Sequence, residues 1–270
     1  MLRHRFAPIA ALLLLLAGAG GAAAQTEIAV GIYPSYPPLD MRDPATGVLK
    51  GFDIDLGNLV AEKLGLTVAW KETAFAQLVA SVQTGRITLF YNGMNDTAPR
   101  RAVISFVDYL RSGTQFLTLS ANAAGLPNVL ALCGKKVAAS RGTNLPQQIA
   151  DWSKATCEAA GKPAVVYLGA DNNIDARLQM KQGRADAMAQ DSLTIPYVQS
   201  QEAGAYVTLG EPFDYTIMGI GVGKDDTGLQ AKLSQTMQGL IDDGSYAKLL
   251  AKWGLPASSG VAKATVNGAG

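Results

Sequence analysis

The sequence predicts an α/β protein of two lobes joined by a hinge of two chain crossings. Three observations predict it. Strand-length apolar runs alternate with helical stretches in a β-α-β-α-β order, and that order occurs twice. Each round ends on a matched segment: Thr84-Gly85-Arg86 leads into 87–91, and Gln182-Gly183-Arg184 leads into 185–189. Buried runs that follow helices read as parallel strands, and ligands of open α/β sheets bind just past the carboxyl ends of such strands. Two such ends facing each other make a cleft.

The elements follow in order. Residues 27–32 read as a first strand, ended by Pro34, Pro37 and Pro38, and 43–47 as a turn. Leu56, Leu59, Val60 and Leu64 recur at helical spacing, and Gly65 stops that helix. Residues 66–70 are a second strand, 75–83 a second helix with Leu78, Val79 and Val82 on one face, and 87–91 a third strand. The pattern restarts with a strand at 136–139, a Gly142-Thr143-Asn144 turn and a helix through Trp152. It continues with a strand at 164–168, a helix at 173–181 and a strand at 185–189. Residues 115–120 and 215–222 border this second unit and read as the two crossings. The expected division is therefore 25–114 plus 214–256 for lobe 1 and 115–213 for lobe 2. Leu229, Leu233, Met237, Leu240 and Ile241 form one helix face, and Tyr246, Leu249, Leu250 and Trp253 a second. Residues 257–270 are small and polar and read as a flexible tail.

Residues 1–24 read as a signal peptide. Arg3 and Arg5 precede an apolar core with five consecutive Leu, and Ala22-Ala23-Ala24 is a small-residue cleavage site. An uncleaved anchor is the alternative, disfavoured because the core is short and fades into Gly and Ala. The mature chain is expected to be exported, and not membrane-embedded after processing. The whole chain has 23 basic and 22 acidic residues. Removing Arg3 and Arg5 leaves 21 against 22, so nothing calls for nucleic acid or an anionic surface. The only His, His4, leaves with the signal, which removes His-based triads, bases and metal sites. No cofactor or metal is expected. Cys133 and Cys157 read as a disulfide in an exported protein, with two buried free thiols as the alternative. Closing a loop of about 25 residues would contribute roughly 3 kcal/mol in the chain-entropy model.

Four groups of residues carry candidate chemistry. Arg100 follows Asn95-Asp96-Thr97-Ala98-Pro99, where Asp96 or Thr97 can cap a helix whose free N–H groups favour an anion. Its guanidinium would add a bidentate fork for a carboxylate. Spacing alone leaves open an ordinary surface Arg. Thr143 and Asn144 stand before a second helix N-terminus, and that too reads equally as an ordinary strand-to-helix turn capped by Asn144. Asp191, just past the repeated strand, suits an ammonium group or a helix cap. Tyr33, Tyr36 and Phe75 fall at lobe-1 strand ends and suit either the wall of a small-molecule site or core packing. Together they place anion-binding groups and one carboxylate around one cleft, which is what an α-amino acid zwitterion requires.

At this point the chain resembles the periplasmic amino-acid-binding proteins of ABC importers, solute-binding protein family 3. The matching stretches are Val30-Gly31 with Tyr36-Pro37-Pro38, Gly51-Phe52-Asp53-Ile54-Asp55-Leu56, and Gly93-Met94 with Thr97-Ala98-Pro99-Arg100. They continue with Phe106-Val107-Asp108, Gly142-Thr143, and Gly183-Arg184-Ala185-Asp186-Ala187 leading to Asp191. The last are Asp243-Gly244-Ser245-Tyr246 and Lys252-Trp253-Gly254. The resemblance spans 26–256. It implies a type II periplasmic binding protein, monomeric and without enzymatic activity, that closes on an amino acid and delivers it to an inner-membrane ABC permease. By the family pattern Arg100 grips the α-carboxylate, helped by Thr97 and by backbone N–H groups near Asn95 and Thr143. Asp191 takes the α-ammonium with the Gly93 carbonyl, while Tyr36 and Phe75 pack on the ligand. The Cys133/Cys157 pair resembles a subgroup with a disulfide in the second lobe.

Three positions depart from the pattern. Thr88 stands where Asp is frequent, Asn95 replaces Ser or Thr, and Asn144 replaces Thr, Ser or Gly. Tyr33 stands where binders of Lys, Arg or His often carry an acid, so a neutral or polar ligand is expected over a basic one. An inward Arg141 would instead suit an acidic ligand or an opine-like dicarboxylate. Two rival functions share the fold. A periplasmic dehydratase would need a general acid, for which Asp40 and Asp96 are the nearest candidates. A sensory binding protein would present its ligand to a receptor.

Overall fold

The computed structural model describes residues 26–268. The expected signal segment 1–24 lies outside the described residues. The first half opens with β1 (Thr26–Ile32), followed by a small antiparallel sheet of β2 (Ser35–Tyr36), β3 (Asp40–Arg42) and β4 (Leu49–Lys50). That sheet had no signal in the sequence, because its strands are two or three residues long and lie among prolines. Then come α1 (Phe52–Lys63), β5 (Leu66–Glu72), a 3-10 turn at Phe75–Gln77, α2 (Leu78–Gln83), β6 (Leu89–Phe90) and α3 (Ala98–Arg101). The long β7 (Ile104–Leu119) leads to β8 (Lys136–Ser140), α4 (Leu145–Thr156), β9 (Val166–Ala170), α5 (Asn173–Lys181), β10 (Ala187–Asp191) and α6 (Ile195–Gln201). The long β11 (Tyr206–Gly223) returns, and α7 (Thr227–Asp242) and α8 (Ser245–Lys252) follow.

All the long strands belong to one mixed sheet of eight, in the order β5-β1-β6-β11-β7-β10-β8-β9. β1 runs parallel to β5 and β6, and β8 runs parallel to β9 and β10. Only β7 and β11 run through both ends of the sheet, antiparallel to each other. Their register shifts near Phe213, where Asp214 takes a left-handed φ of 48°. The crossings expected at 115–120 and 215–222 are parts of these strands, which also run through Gly113 and Pro212. Both breakers are accommodated by the shift, so the strands are longer than expected. Buried side chains fall into groups on either side of it. One side holds Phe52, Leu56, Tyr109, Leu233 and Met237, together with Leu78, Phe90 and Phe106. The other holds Phe116, Leu132, Val137 and Ile149, together with Met180, Met188 and Tyr206.

The helices form where the apolar spacing places them. α7 is capped by the Asp226 carboxylate, which accepts from the Leu229 N–H at 3.0 Å, and buries Leu233, Met237 and Leu240. Cys133 and Cys157 form the disulfide expected of them, with Cα atoms 5.4 Å apart, tying the turn before β8 to the end of α4.

The tail differs from expectation. Residues 257–268 are packed, with Ala264 buried and Val266 bridged to Val107. The first part of β7, before the register shift, has a free edge opposite β11, and residues 260–267 satisfy backbone groups there. Composition hid this because the pairing uses backbone and small side chains.

Candidate functional site

A cavity of about 290 Å³ opens between the two halves of the sheet. That is near the lower end of the range for small-molecule sites. The first half contributes Tyr33, Tyr36, Phe75, Gly93, Asn95 and Arg100 to its wall, and the second half contributes Thr143, Asn144 and Asp191. Nine of the ten residues singled out from the sequence therefore meet around one space. Thr97 does not line it; it precedes α3, and its hydroxyl makes no capping bond.

Strand ends and tight turns set the first wall. Gly93 has a left-handed φ of 53°, and an added Cβ would lie 2.6 Å from Cε1 of Tyr36. Glycine therefore lets the Tyr36 ring pack directly on the backbone. The Gly93 N–H donates to the Tyr109 hydroxyl at 2.9 Å, and that hydroxyl donates to Asp53. Asn92 holds the next turn by accepting from the Tyr33 N–H at 2.7 Å and donating to Asp40 at 2.7 Å. α3 has only four residues, so its N–H groups add little to anion binding and Arg100 itself is the cationic group. Its Nη1 donates to the Asn95 carbonyl at 2.8 Å, and its guanidinium carbon lies 5.8 Å from the Phe75 ring centroid. Burial lowers its pKa, with Asp191 and Asp96 pulling the other way.

The second wall is built from β8, β10 and the turns after β8 and β9. Thr143 closes the turn into α4: its hydroxyl donates to the Ser140 carbonyl at 2.8 Å and accepts from the Leu145 N–H at 3.2 Å. Asn144 stands at the N-cap position of α4 but makes no side-chain capping bond. Its side chain crosses the cavity and accepts from Asn95 Nδ2 at 2.6 Å. Asp191 ends β10 without capping the following turn. Burial pushes its carboxyl up to about 6, against the pull of Tyr36 and Arg100. The Tyr36 hydroxyl lies beside this carboxylate but has no hydrogen-bond partner of normal geometry. Asn95 Oδ1 is likewise buried and unpartnered. Arg100 and Asp191 are thus a cation and a carboxylate from opposite walls.

Arg141 lies at the rim. Its Nη2 donates to the Gly169 carbonyl at 3.0 Å and its Nη1 sits 3.3 Å from Asp171 Oδ1, with both side chains largely exposed. It also lines the cavity, and Asp171 is the carboxylate it faces there. Asp171, Asn172 and Asn173 also line the cavity and were not singled out beforehand. Asn172 caps α5 through the Asp175 N–H at 3.0 Å and donates to the Tyr33 hydroxyl at 3.3 Å. Asn173 Oδ1 is buried without a partner. The available signal was position: 171–173 join a strand to a helix, as 142–144 do. Asp40 and Asp96, the candidate acids of the dehydratase alternative, do not line the cavity. No helix among the described residues is long and apolar enough to cross a membrane.

Comparison with known proteins gives a consistent picture. Residues 28–256 match the family described as bacterial extracellular solute-binding proteins, family 3. An arginine-binding protein of Corynebacterium glutamicum is 28% identical over 84% of this chain and 74% of its own length. The histidine-binding periplasmic protein of Salmonella typhimurium is 28% identical over 88% of this chain and 91% of its own. Among solved structures, an ancestral arginine-binding protein bound to glutamine superposes with a TM-score of 0.73 at 30% identity. That match covers 85% of this chain and 98% of the ancestral one.

Proposed function

The chain belongs to the bacterial extracellular solute-binding proteins of family 3, with the type II periplasmic amino-acid-binding fold, and on that premise we propose that it captures an amino acid in the cavity. The observation that carries this reading is the pairing of Arg100 and Asp191 on opposite walls. Arg100 takes the α-carboxylate with backbone N–H groups near Asn95 and Thr143. Asp191 takes the α-ammonium with the Gly93 carbonyl, and Asn95 Oδ1 is free to accept from the same group. Tyr36 and Phe75 pack on the ligand. Residues 25–114 with 214–256, and 115–213, act as two lobes that close by differential affinity for the shut form.

The ligand side chain is neutral or polar in this reading. Support comes from the amide of Asn172 beside the Tyr33 hydroxyl and that of Asn173 elsewhere on the wall, with Arg141 and Asp171 paired at the rim. The ancestral relative holding glutamine is a precedent for a neutral ligand on this fold. A second reading takes a basic side chain, favoured by the relatives that bind arginine or histidine and by the exposed Asp171 carboxylate. In both, the chain binds without chemistry, acts as a monomer in the periplasm after cleavage near Ala24, and hands its ligand to an inner-membrane ABC permease.

The test is thermal unfolding of residues 25–270, refolded free of carried-over ligand, against the twenty amino acids. A ligand at a thousand times its Kd adds about 4 kcal/mol. In a chain of this size that is roughly 8 to 16 °C. The expected result is a shift with glutamine or another neutral polar L-amino acid, lost in Arg100→Ala and Asp191→Ala. A larger shift with arginine selects the second reading, and no shift with any amino acid overturns both.

A further inference from the structure

Residues 260–268 lie beyond the stretch matched by the family, yet they are bonded into the sheet. The Asp108 N–H donates to the Thr265 carbonyl at 2.9 Å, and the Asn267 N–H donates to the Phe106 carbonyl at 2.9 Å. The Phe106 N–H donates to Asn267 Oδ1 at 2.9 Å. The tail therefore runs antiparallel along the free edge of β7. α7 holds its other side, through Gln238 to the Ala264 N–H and through Ser234 to the Ala264 carbonyl.

The side-chain contacts converge on Asp108, which is fully buried. Its Oδ2 accepts from the Thr265 hydroxyl at 2.6 Å and from the Gly268 N–H at 3.0 Å. Its Oδ1 has no partner of that kind, and neither has Asp96 Oδ2. The two carboxyl groups lie beside each other against Gly268, where an added Cβ would stand 3.6 Å from Asp96 Oδ2. Two carboxyls so placed make one bond only if one of them carries a proton. Asp96 also meets Arg101 Nη1 at 3.1 Å and feels Arg100. Asp96 is thus the charged member and Asp108 the proton donor. The groups that the tail and α7 bring to the pair, Thr265, Gly268, Ser234 and Gln238, carry no charge.

Asp96 stands between Asn95 and the helix that carries Arg100. Its N–H donates to the Ile217 carbonyl at 2.8 Å, and Arg100 donates to the Asn95 carbonyl. We propose that residues 260–268 are an intramolecular edge strand docked through a proton held between Asp108 and Asp96, and that this docking positions the turn from Asn95 to Arg100. Asp96, Asp108 and Thr265 are then positioning residues for the cavity wall. Only that last step rests on reading the cavity as the ligand site.

Burial pushes the Asp108 carboxyl up to about 6, against an unfolded value of about 3.9. Docking therefore weakens as pH rises through 6, by at most about tenfold between pH 5 and pH 8. Asparagine at 108 keeps the geometry and cannot lose the hydrogen, because its oxygen can accept from Thr265 and its amide can donate to Asp96.

The experiment is hydrogen exchange with mass spectrometry on the mature chain without ligand, corrected for intrinsic rates, at pH 5 and pH 8. In wild type, protection of 260–268 and 104–110 should fall on going to pH 8, and protection of 93–101 should fall with it. Asp108→Asn should hold all three segments equally protected at both pH values. Thr265→Val should lower protection at both and keep the pH dependence. A wild type that does not respond to pH, an Asp108→Asn protein with the wild-type slope, or an unchanged 93–101 segment in Thr265→Val overturns the proposal. None of these readouts depends on whether an amino acid binds.

Discussion

Asp40 and Asp53 are both fully buried and lie close enough to shift each other's titration. Asp40 Oδ2 accepts from Asn92 and Asp53 Oδ1 accepts from Tyr109, while Asp40 Oδ1 and Asp53 Oδ2 have no hydrogen-bond partner of normal geometry. Among the described residues, no Lys or Arg forms an ion pair with either. Two carboxylates this close in a low dielectric cannot both be charged, so one keeps its proton. Burial is the leading cause: it raises Asp40 well above the usual range and pushes Asp53 up to about 7. In the unfolded chain both titrate near 3.9. The native state therefore binds a proton that the unfolded state has lost over the window from about pH 4 to about pH 7. Folded values above unfolded ones mean stability that is full at the acid end and lost as pH rises. The slope is at most about 1.4 kcal/mol per pH unit for one proton and flattens as pH reaches 7, so the loss is about 2 kcal/mol between pH 5 and pH 7. Asp40→Asn supplies that hydrogen permanently, with its oxygen accepting from Asn92 and its amide donating to Asp53. Urea unfolding at pH 5 and pH 7 should show the variant close to wild type at pH 5 and more stable at pH 7. Asp96, Asp108 and Asp191 are raised in the same sense and leave part of the slope in both proteins, so the difference between them isolates the pair. Parallel stability curves for wild type and Asp40→Asn would refute the shared proton.

Two further outcomes follow from single groups. Asp191 must be ionised to hold an ammonium, and its carboxyl titrates at about 6. Calorimetric affinity for the ligand found above should be level from pH 7.5 to 6.5 and fall toward tenfold per unit below 6; a level affinity down to pH 4.5 would remove Asp191 from that role. Reducing the Cys133–Cys157 bond opens a loop with a sequence separation of 24 residues. The expected loss is roughly 3 kcal/mol, or about 6 to 12 °C in Tm by calorimetry, and an unchanged Tm would mean the loop is closed by its packing alone.

What was legible in the sequence was local. Apolar spacing found α1, α2, α7 and α8 because each buries one face of a helix, whereas α4 and α5 were placed by the strands and turns on either side of them. Strand ends were found because Gly85 and Gly183 stop helices in left-handed turns of φ 70°. The departure at Thr88 changes little, since its backbone N–H still donates to the Ala29 carbonyl at 2.8 Å. The strand expected at 164–168 begins at Val166, two residues later, because Pro163 and its neighbours run irregularly before pairing with β8. The tail was misjudged because small polar residues that bond through the backbone look like residues that bond to nothing.

The partner choices inside the cavity were of another kind. Asn95 and Asn144 were each read as an isolated departure, one per lobe, altering one contact to the ligand. They lie 49 positions apart and bond to each other across the cavity. A hydroxyl at 95 is too short to span the distance an amide covers, and a Gly at 144 would offer no acceptor. The two departures thus make sense as one change: each amide supplies what the other needs. The bond occupies Asn95 Nδ2 and leaves Asn95 Oδ1 buried and unpaired, so a donor from the ligand is the group that would relieve it. An α-ammonium, held by Asp191 on the far wall, is such a donor. The chemistry of the pair therefore points the same way as the charges of Arg100 and Asp191, although no single position in the sequence carries that information.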